Sequence, residues 1–106
     1  MANYLERLEQ IRFNRLNILN ILTSTQANAR KSYGSYKPVL QRKLNSYKKH
    51  TEVLGQGGNR TRGLTFPTKE EATEYAQSIL NERIERAQVE VDIAQSNYDA
   101  QLANQS

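Results

Sequence analysis

The sequence contains no cysteine and only one histidine. Without cysteine there is no disulfide framework, no thiolate nucleophile and no cysteine-ligated metal. The histidine, His50, lies in a Lys-Lys-His-Thr run, where a solvated side chain is expected rather than a general base. The carboxylates of the C-terminal third are spaced as on the polar face of a helix, and the serines and threonines have no base to activate them. We therefore expect no catalytic residues, no metal, no cofactor and no enzymatic activity.

Long hydrophobic runs are also missing. Hydrophobic residues make up 37% of the chain and the mean hydropathy is −0.81, so only a thin core can form. The longest uncharged stretch, 16–29, is too short and too rich in asparagine and threonine to cross a bilayer. The N-terminus lacks a secretory pattern. We expect no membrane span and no secretion, and a location in the cytoplasm or within an assembled particle.

The clearest positive signal predicts a long helix over residues 68–102. Pro67 ends the preceding segment, and Thr68 with Glu71 forms a Thr-x-x-Glu capping box. Apolar residues then recur every three or four positions without a glycine or proline, and alternate alanines let a partner helix approach closely. Such a helix would be roughly 50 Å long. The predicted helix-pairing seam consists of Leu80, Ile84, Ala87, Val91, Ala94 and Tyr98.

A second long helix is predicted over residues 3–32. Its apolar stripe is interrupted only by Arg15, and Gly34 follows as a C-cap. Two helices that are each apolar on one face are expected to pair. The stripe consists of Tyr4, Leu8, Ile11, Ile18, Leu22 and Ala29.

The segment between these helices has two interpretations. Pro38 at a first helical position and Gly55 just past the end favour a short helix over 38–54. The alternative is a small three-stranded sheet within 36–66, with strands at 36–44 and 47–54 that turn at Asn45 and Ser46, and a third strand at 60–66. The tyrosines, valines and threonines of this segment suit a sheet as well.

Positive charge is concentrated in the middle of the chain. Residues 30–63 carry nine lysines and arginines against one glutamate, whereas residues 64–106 have a net charge of −5. Tyr33, Tyr36 and Tyr47 interleave with the cations, as expected for phosphate pairing combined with base stacking. Tyr36 and Tyr47 equally fit the apolar stripe of the short helix. The candidate contacts to a polyanion or an acidic partner are Arg30, Lys31, Lys37, Arg42, Lys43, Lys48, Lys49, Arg60 and Arg62.

The sequence as a whole predicts one all-α domain over residues 1–106. It would be an elongated helical hairpin of two long helices, with a basic helix-loop head at 33–67. The favoured function is a non-enzymatic structural or assembly subunit, paired with itself or with other chains in a multi-subunit particle such as a virion. The alternative is a small nucleic-acid-binding protein that uses residues 30–63. A third reading is an adaptor or inhibitor that docks on an acidic protein partner.

Overall fold

The computed structural model describes residues 3–55 and 63–104. The order of elements is α1 (Tyr4–Thr23), β1 (Gln26–Ser32), β2 (Ser35–Lys43), β3 (Lys49–Val53) and α2 (Lys69–Asn104). The fold is therefore α+β, and the prediction of an all-α hairpin is wrong. The chain forms two compact units: a helical unit of α1 with α2 from Arg83 onward, and a sheet unit from Ser24 to Glu82.

The first helix ends nine residues earlier than predicted. The segment Gln26–Ser32 is a strand, although it contains no large apolar side chain. Gly34 is not a helix cap but shares a two-residue turn between β1 and β2 with Tyr33, and both residues have positive φ, at 82° and 49°. Positive φ at both central positions defines the type I′ turn, whose twist matches that of the flanking strands.

The predicted helix over 38–54 is replaced by β2 and β3. The side-chain oxygen of Asn45 accepts backbone N–H groups from Tyr47 at 2.8 Å and Lys48 at 2.9 Å, so the chain reverses there. Pro38 lies in the central strand, where Leu54 donates to its carbonyl at 2.9 Å. Pro38 has no N–H group and cannot donate a backbone hydrogen bond in return. The missing hydrogen bond is tolerated because β3 ends at Val53.

The alternative prediction, a small three-stranded sheet between two helices, fits the structure, in which β1 is the strand that completes the sheet. The strand order is β1-β2-β3, so the third strand comes from the region predicted as helix. Of the predicted strand at 60–66, Phe66 forms a single bridge with Tyr36, in which each backbone N–H donates to the other carbonyl at 2.8 Å. Residues 60–62 lie outside the described residues.

One side of the sheet is an apolar face, which a ring contact of Phe66 links to the first part of α2. Pro38 and Leu40 of β2 are buried on it. Phe66 shares this face through its pairing with Tyr36, and its ring lies 5.4 Å from the Tyr75 ring of α2. Ala72, Ala76 and Leu80 of α2 are buried, and the two alanines allow the helix to approach closely.

The prediction of the C-terminal helix is confirmed. It begins at Lys69, and the Thr68 hydroxyl accepts the backbone N–H of Glu71 at 3.2 Å, one half of the predicted capping box.

Within the helical unit, α1 and α2 run antiparallel. Arg12 donates from Nη1 to Oε1 of Gln95 at 3.1 Å, and Nε of Arg15 lies 3.9 Å from Oε2 of Glu90, so the numbering rises on one helix and falls on the other. Leu8, Val91 and Ala94 are buried.

The predicted stripe of α1 is partly wrong, because Tyr4, Ile11 and Ile18 are 60%, 44% and 45% exposed, while Arg12 is half-buried. In the described parts of both helices, no stretch is long and apolar enough to pass through a bilayer.

Candidate nucleic-acid interface

The side of the sheet opposite the apolar face carries two pairs of cations. In the β1–β2 register Arg30 lies opposite Lys37, and in the β2–β3 register Lys43 lies opposite Lys49. Directly opposed residues share a face, and Lys37 and Lys43 are an even number of residues apart on β2, so all four side chains lie on one side. We call this side the basic face.

A row of polar side chains crosses the middle of the basic face. Asn28 donates from Nδ2 to Oε1 of Gln41 at 3.3 Å, and Gln41 donates from Nε2 to Oγ1 of Thr51 at 3.5 Å. The row links all three strands. The backbone N–H of Ala29 donates to Oδ1 of Asn28 at 2.9 Å, which fixes the Asn28 amide. We call Asn28, Gln41 and Thr51 the amide row.

The middle of the basic face is not open along its whole length. Val39, which lies between Asn28 and Val53 in the register, is on the same side as Lys37 and Gln41 and is fully buried, so this part of the side is covered. Gln41 lines an open concavity of about 370 Å³, whose other walls are Ser24, Gln26, Arg42, Lys43 and Lys49. The concavity therefore brings Gln41 together with the second pair of cations.

The two cation pairs are electrostatically unfavourable in the isolated protein. Like charges directly opposite each other on a sheet cost about 0.2–1 kcal/mol per pair. Among residues 3–55 and 63–104, no carboxylate forms an ion pair with Arg30, Lys37, Lys43 or Lys49. Lys43 lies six positions after Lys37 on β2, which places the pairs roughly 20 Å apart. An anionic ligand of that extent would relieve both repulsions.

An exposed tyrosine stands at each hairpin tip of the sheet. Tyr33 lies in the β1–β2 turn and is fully exposed, and Tyr47 lies in the β2–β3 turn and is 96% exposed. The two turns lie at opposite ends of β2. Each tyrosine is therefore next to one of the cation pairs, where an aromatic ring can stack on a base or a sugar.

The structure brings together four of the nine predicted contact residues. Arg30, Lys37, Lys43 and Lys49 form the basic face. Lys31 lies opposite Tyr36, and Arg42 opposite His50, so both belong to the other side of the sheet. Lys48 lies in the β2–β3 turn, whereas Arg60 and Arg62 lie outside the described residues. Sequence reasoning missed the amide row, because the favoured prediction placed Asn28 in the first long helix and Gln41 and Thr51 in the short helix, whereas the three residues belong to three paired strands.

The predicted pairing seam on α2 is divided between the two units. Leu80 belongs to the sheet unit, and the other five residues belong to the helical unit. Leu80, Val91 and Ala94 are buried, whereas Ile84, Ala87 and Tyr98 are half-buried.

Metal-binding geometry is not found in the part of the chain that the structure describes, where no three histidine or carboxylate side chains converge. Comparison with known proteins finds no protein family model, no curated protein sequence and no solved structure that matches this chain.

Proposed function

We propose that this protein binds duplex DNA through the basic face. The observation that carries the proposal is the pair of like-charge juxtapositions, Arg30 with Lys37 and Lys43 with Lys49. A solvated surface gains nothing from placing cations directly opposite one another, and the arrangement costs stability. Binding of a phosphate backbone offsets this loss of stability, because each neutralised phosphate releases condensed counterions.

The layout of the face supports a duplex more than a single strand. Two cation pairs roughly 20 Å apart can engage phosphates on both sides of a groove, with the amide row between them. The major groove of DNA, about 12 Å wide, admits β-strands, whereas the major groove of duplex RNA is too narrow for side chains to read. Single-strand binding combines a basic groove with aromatic side chains on which successive bases stack, and the two exposed tyrosines lie at the ends of the sheet rather than along its middle.

The test is fluorescence anisotropy with a labelled mixed-sequence duplex at salt concentrations between about 50 and 200 mM. Four phosphate contacts predict a log-log salt slope of about −3.6. The double variant Lys43→Gln/Lys49→Gln should lower that slope by about 2 in magnitude. The matched control is Lys69→Gln/Arg86→Gln, which removes the same charge from exposed positions of α2. The proposal fails if no binding occurs at low salt, or if the control loses as much slope as the basic-face variant.

Competitor nucleic acids and proteins complete the design. Excess duplex RNA or single-stranded DNA should displace the labelled duplex more weakly than unlabelled duplex DNA does. Strong retention on an acidic protein, combined with no affinity for any nucleic acid, would instead favour the adaptor or inhibitor reading, since an acidic surface would engage the same four cations.

A second candidate function, a structural or assembly subunit, is supported by exposed apolar residues on the helical unit. Tyr4, Ile11 and Ile18 are seven residues apart on α1, and Val89 and Ile93 of α2 are each 51% exposed. Light-scattering mass over a concentration series tests it. Self-association should weaken in Ile11→Asp but persist in Asn14→Asp, which adds the same charge at an exposed polar position one turn away. A protein that is monomeric at every concentration would exclude assembly with itself.

A further inference from the structure

The hydrogen bonds of the amide row leave Gln41 with a specific recognition capacity. A glutamine side chain offers two acceptor lone pairs on Oε1 and two donor protons on Nε2. In this structure Oε1 accepts one bond from Asn28 and Nε2 donates one bond to Thr51. One acceptor site and one donor proton therefore remain, side by side on the same amide.

The orientation of that amide follows from its neighbours. The backbone N–H of Ala29 occupies Oδ1 of Asn28, so the Asn28 NH₂ group is the end that faces Gln41. Only Oε1 of Gln41 can accept from this group, and the Gln41 NH₂ is thereby directed toward the Thr51 hydroxyl. A backbone donor thus fixes, through one intervening side chain, which end of Gln41 is the donor.

From this geometry we infer that Gln41 reads adenine in the major groove of the duplex, an inference that rests on the proposed function. The major-groove edge of adenine presents the N7 acceptor beside the N6 amino donor, which is the complement of the remaining Nε2 proton and Oε1 lone pair. Guanine presents two acceptors, N7 and O6. Its O6 would lie against Oε1 of Gln41, which is also an acceptor, so no hydrogen bond could form there. An amide turned end for end to accommodate guanine would lose its hydrogen bonds to Asn28 and Thr51.

The neighbouring cations place the amide at a base edge rather than at a phosphate. Gln41 lies two residues before Lys43 on β2 and lines the concavity that Lys43 and Lys49 also line. Cations at the rim neutralise phosphates, and the neutral amide between the two pairs is the group that meets the base edges. Phosphate contacts fix the register of the protein on the duplex, and base contacts then select the sequence.

The first experiment selects duplexes from a random-sequence library with the full-length protein. Adenine should be enriched at one position of the bound sequences. Replacing that adenine by 7-deazaadenine removes the N7 acceptor and should weaken binding about 5-fold or more, while the salt slope stays unchanged.

The matched variants assign the effect to Gln41. Gln41→Ala should lose roughly 5- to 140-fold of the discrimination for adenine and become insensitive to 7-deazaadenine. Gln41→Glu, which offers acceptors only, should shift the preference toward cytosine. The control is Gln77→Ala, which removes an exposed amide of α2 that is not part of the sheet and should retain the adenine preference. Circular dichroism establishes that each variant is folded.

The outcomes separate the two levels of inference. Failure of the native protein to bind any duplex at low salt overturns the proposed function. Duplex binding with the expected salt slope but no adenine enrichment, or enrichment that survives Gln41→Ala, overturns only the reading by Gln41. If Gln41→Ala does not fold, the 7-deazaadenine substitution still decides with the native protein, since no loss of affinity there overturns the inference.

Discussion

The backbone N–H of Leu64 donates to the carbonyl of Gly55 at 2.9 Å, and a Cβ built on Gly55 would lie 2.7 Å from the Leu64 Cβ. Gly55 also has a φ of 64°. The close approach returns the chain toward the sheet just after β3, and two separate constraints require glycine there: the backbone conformation and the lack of space.

The substitution Gly55→Ala should therefore destabilise the protein more than an ordinary glycine replacement. A left-handed conformation costs an alanine about 1–2 kcal/mol, and the contact with Leu64 adds an overpacking cost of about 1–3 kcal/mol. Gly34→Ala is the matched control, because Gly34 has a φ of 82° but no atom within 4 Å of its added Cβ. Urea unfolding should show the larger loss for Gly55→Ala. Equal losses would mean that Leu64 moves aside at little cost.

Tyr33 should limit the stability of the β1–β2 hairpin. Its φ of 49° is unfavourable for a side chain of this size, whereas asparagine followed by glycine is the preferred type I′ turn. Tyr33→Asn should raise the free energy of unfolding by about 0.5–1 kcal/mol. If the ring stacks on bound DNA, the same change should lower duplex affinity.

Tyr47→Asn provides the control for that prediction. Tyr47 is equally exposed but is not among the residues with positive φ. Its replacement should bring no gain in thermal stability, while it also removes an aromatic ring next to a cation pair. If Tyr47→Asn stabilised the protein as much as Tyr33→Asn does, the gain would come from removing an exposed aromatic ring and not from relief of backbone strain.

Replacing one cation of a basic-face pair should stabilise the free protein and weaken DNA binding. Lys49→Glu turns the repulsion with Lys43 into an attraction, which is worth about 0.5–1 kcal/mol across a strand pair. Lys48→Glu makes the same charge change in the turn, where the register places no cation directly opposite. Thermal unfolding should therefore show a gain for Lys49→Glu only. A gain in both variants would indicate an effect of net charge.

Arg12 should contribute more to the helical unit than Arg15 does. The Arg12 guanidinium lies 4.6 Å from the centroid of the Tyr98 ring and also donates to Gln95. Arg12→Ala should cost about 1–2 kcal/mol, from the cation–π contact and the charged hydrogen bond together.

The matched variant for Arg12 is Arg15→Ala. The pair of Arg15 with Glu90 is 3.9 Å long, and both side chains are nearly half exposed, at 45% and 48%. Pairs of this kind contribute at most about 1 kcal/mol, and often nothing measurable. Chemical denaturation at two salt concentrations should show a small, salt-dependent loss for Arg15→Ala. A loss as large as that of Arg12→Ala would contradict the ranking.

The sequence by itself determined the C-terminal helix and its start, because the capping signal at Thr68 and the periodicity of α2 are local. It also determined the concentration of positive charge in the middle of the chain. Both features depend on residues that are neighbours along the chain, so they can be recognised without knowledge of the fold.

Only the tertiary structure decided that Gln26–Ser32 is a strand and that Pro38 belongs to the centre of a sheet. β1 contains no large apolar residue, so its conformation is stabilised by backbone pairing with β2 rather than by its own pattern. The basic face has the same origin. Arg30 and Lys37, and likewise Asn28, Gln41 and Thr51, meet because the strands pair in one register, and a shift by one residue would turn each strand's side chains to the opposite side of the sheet.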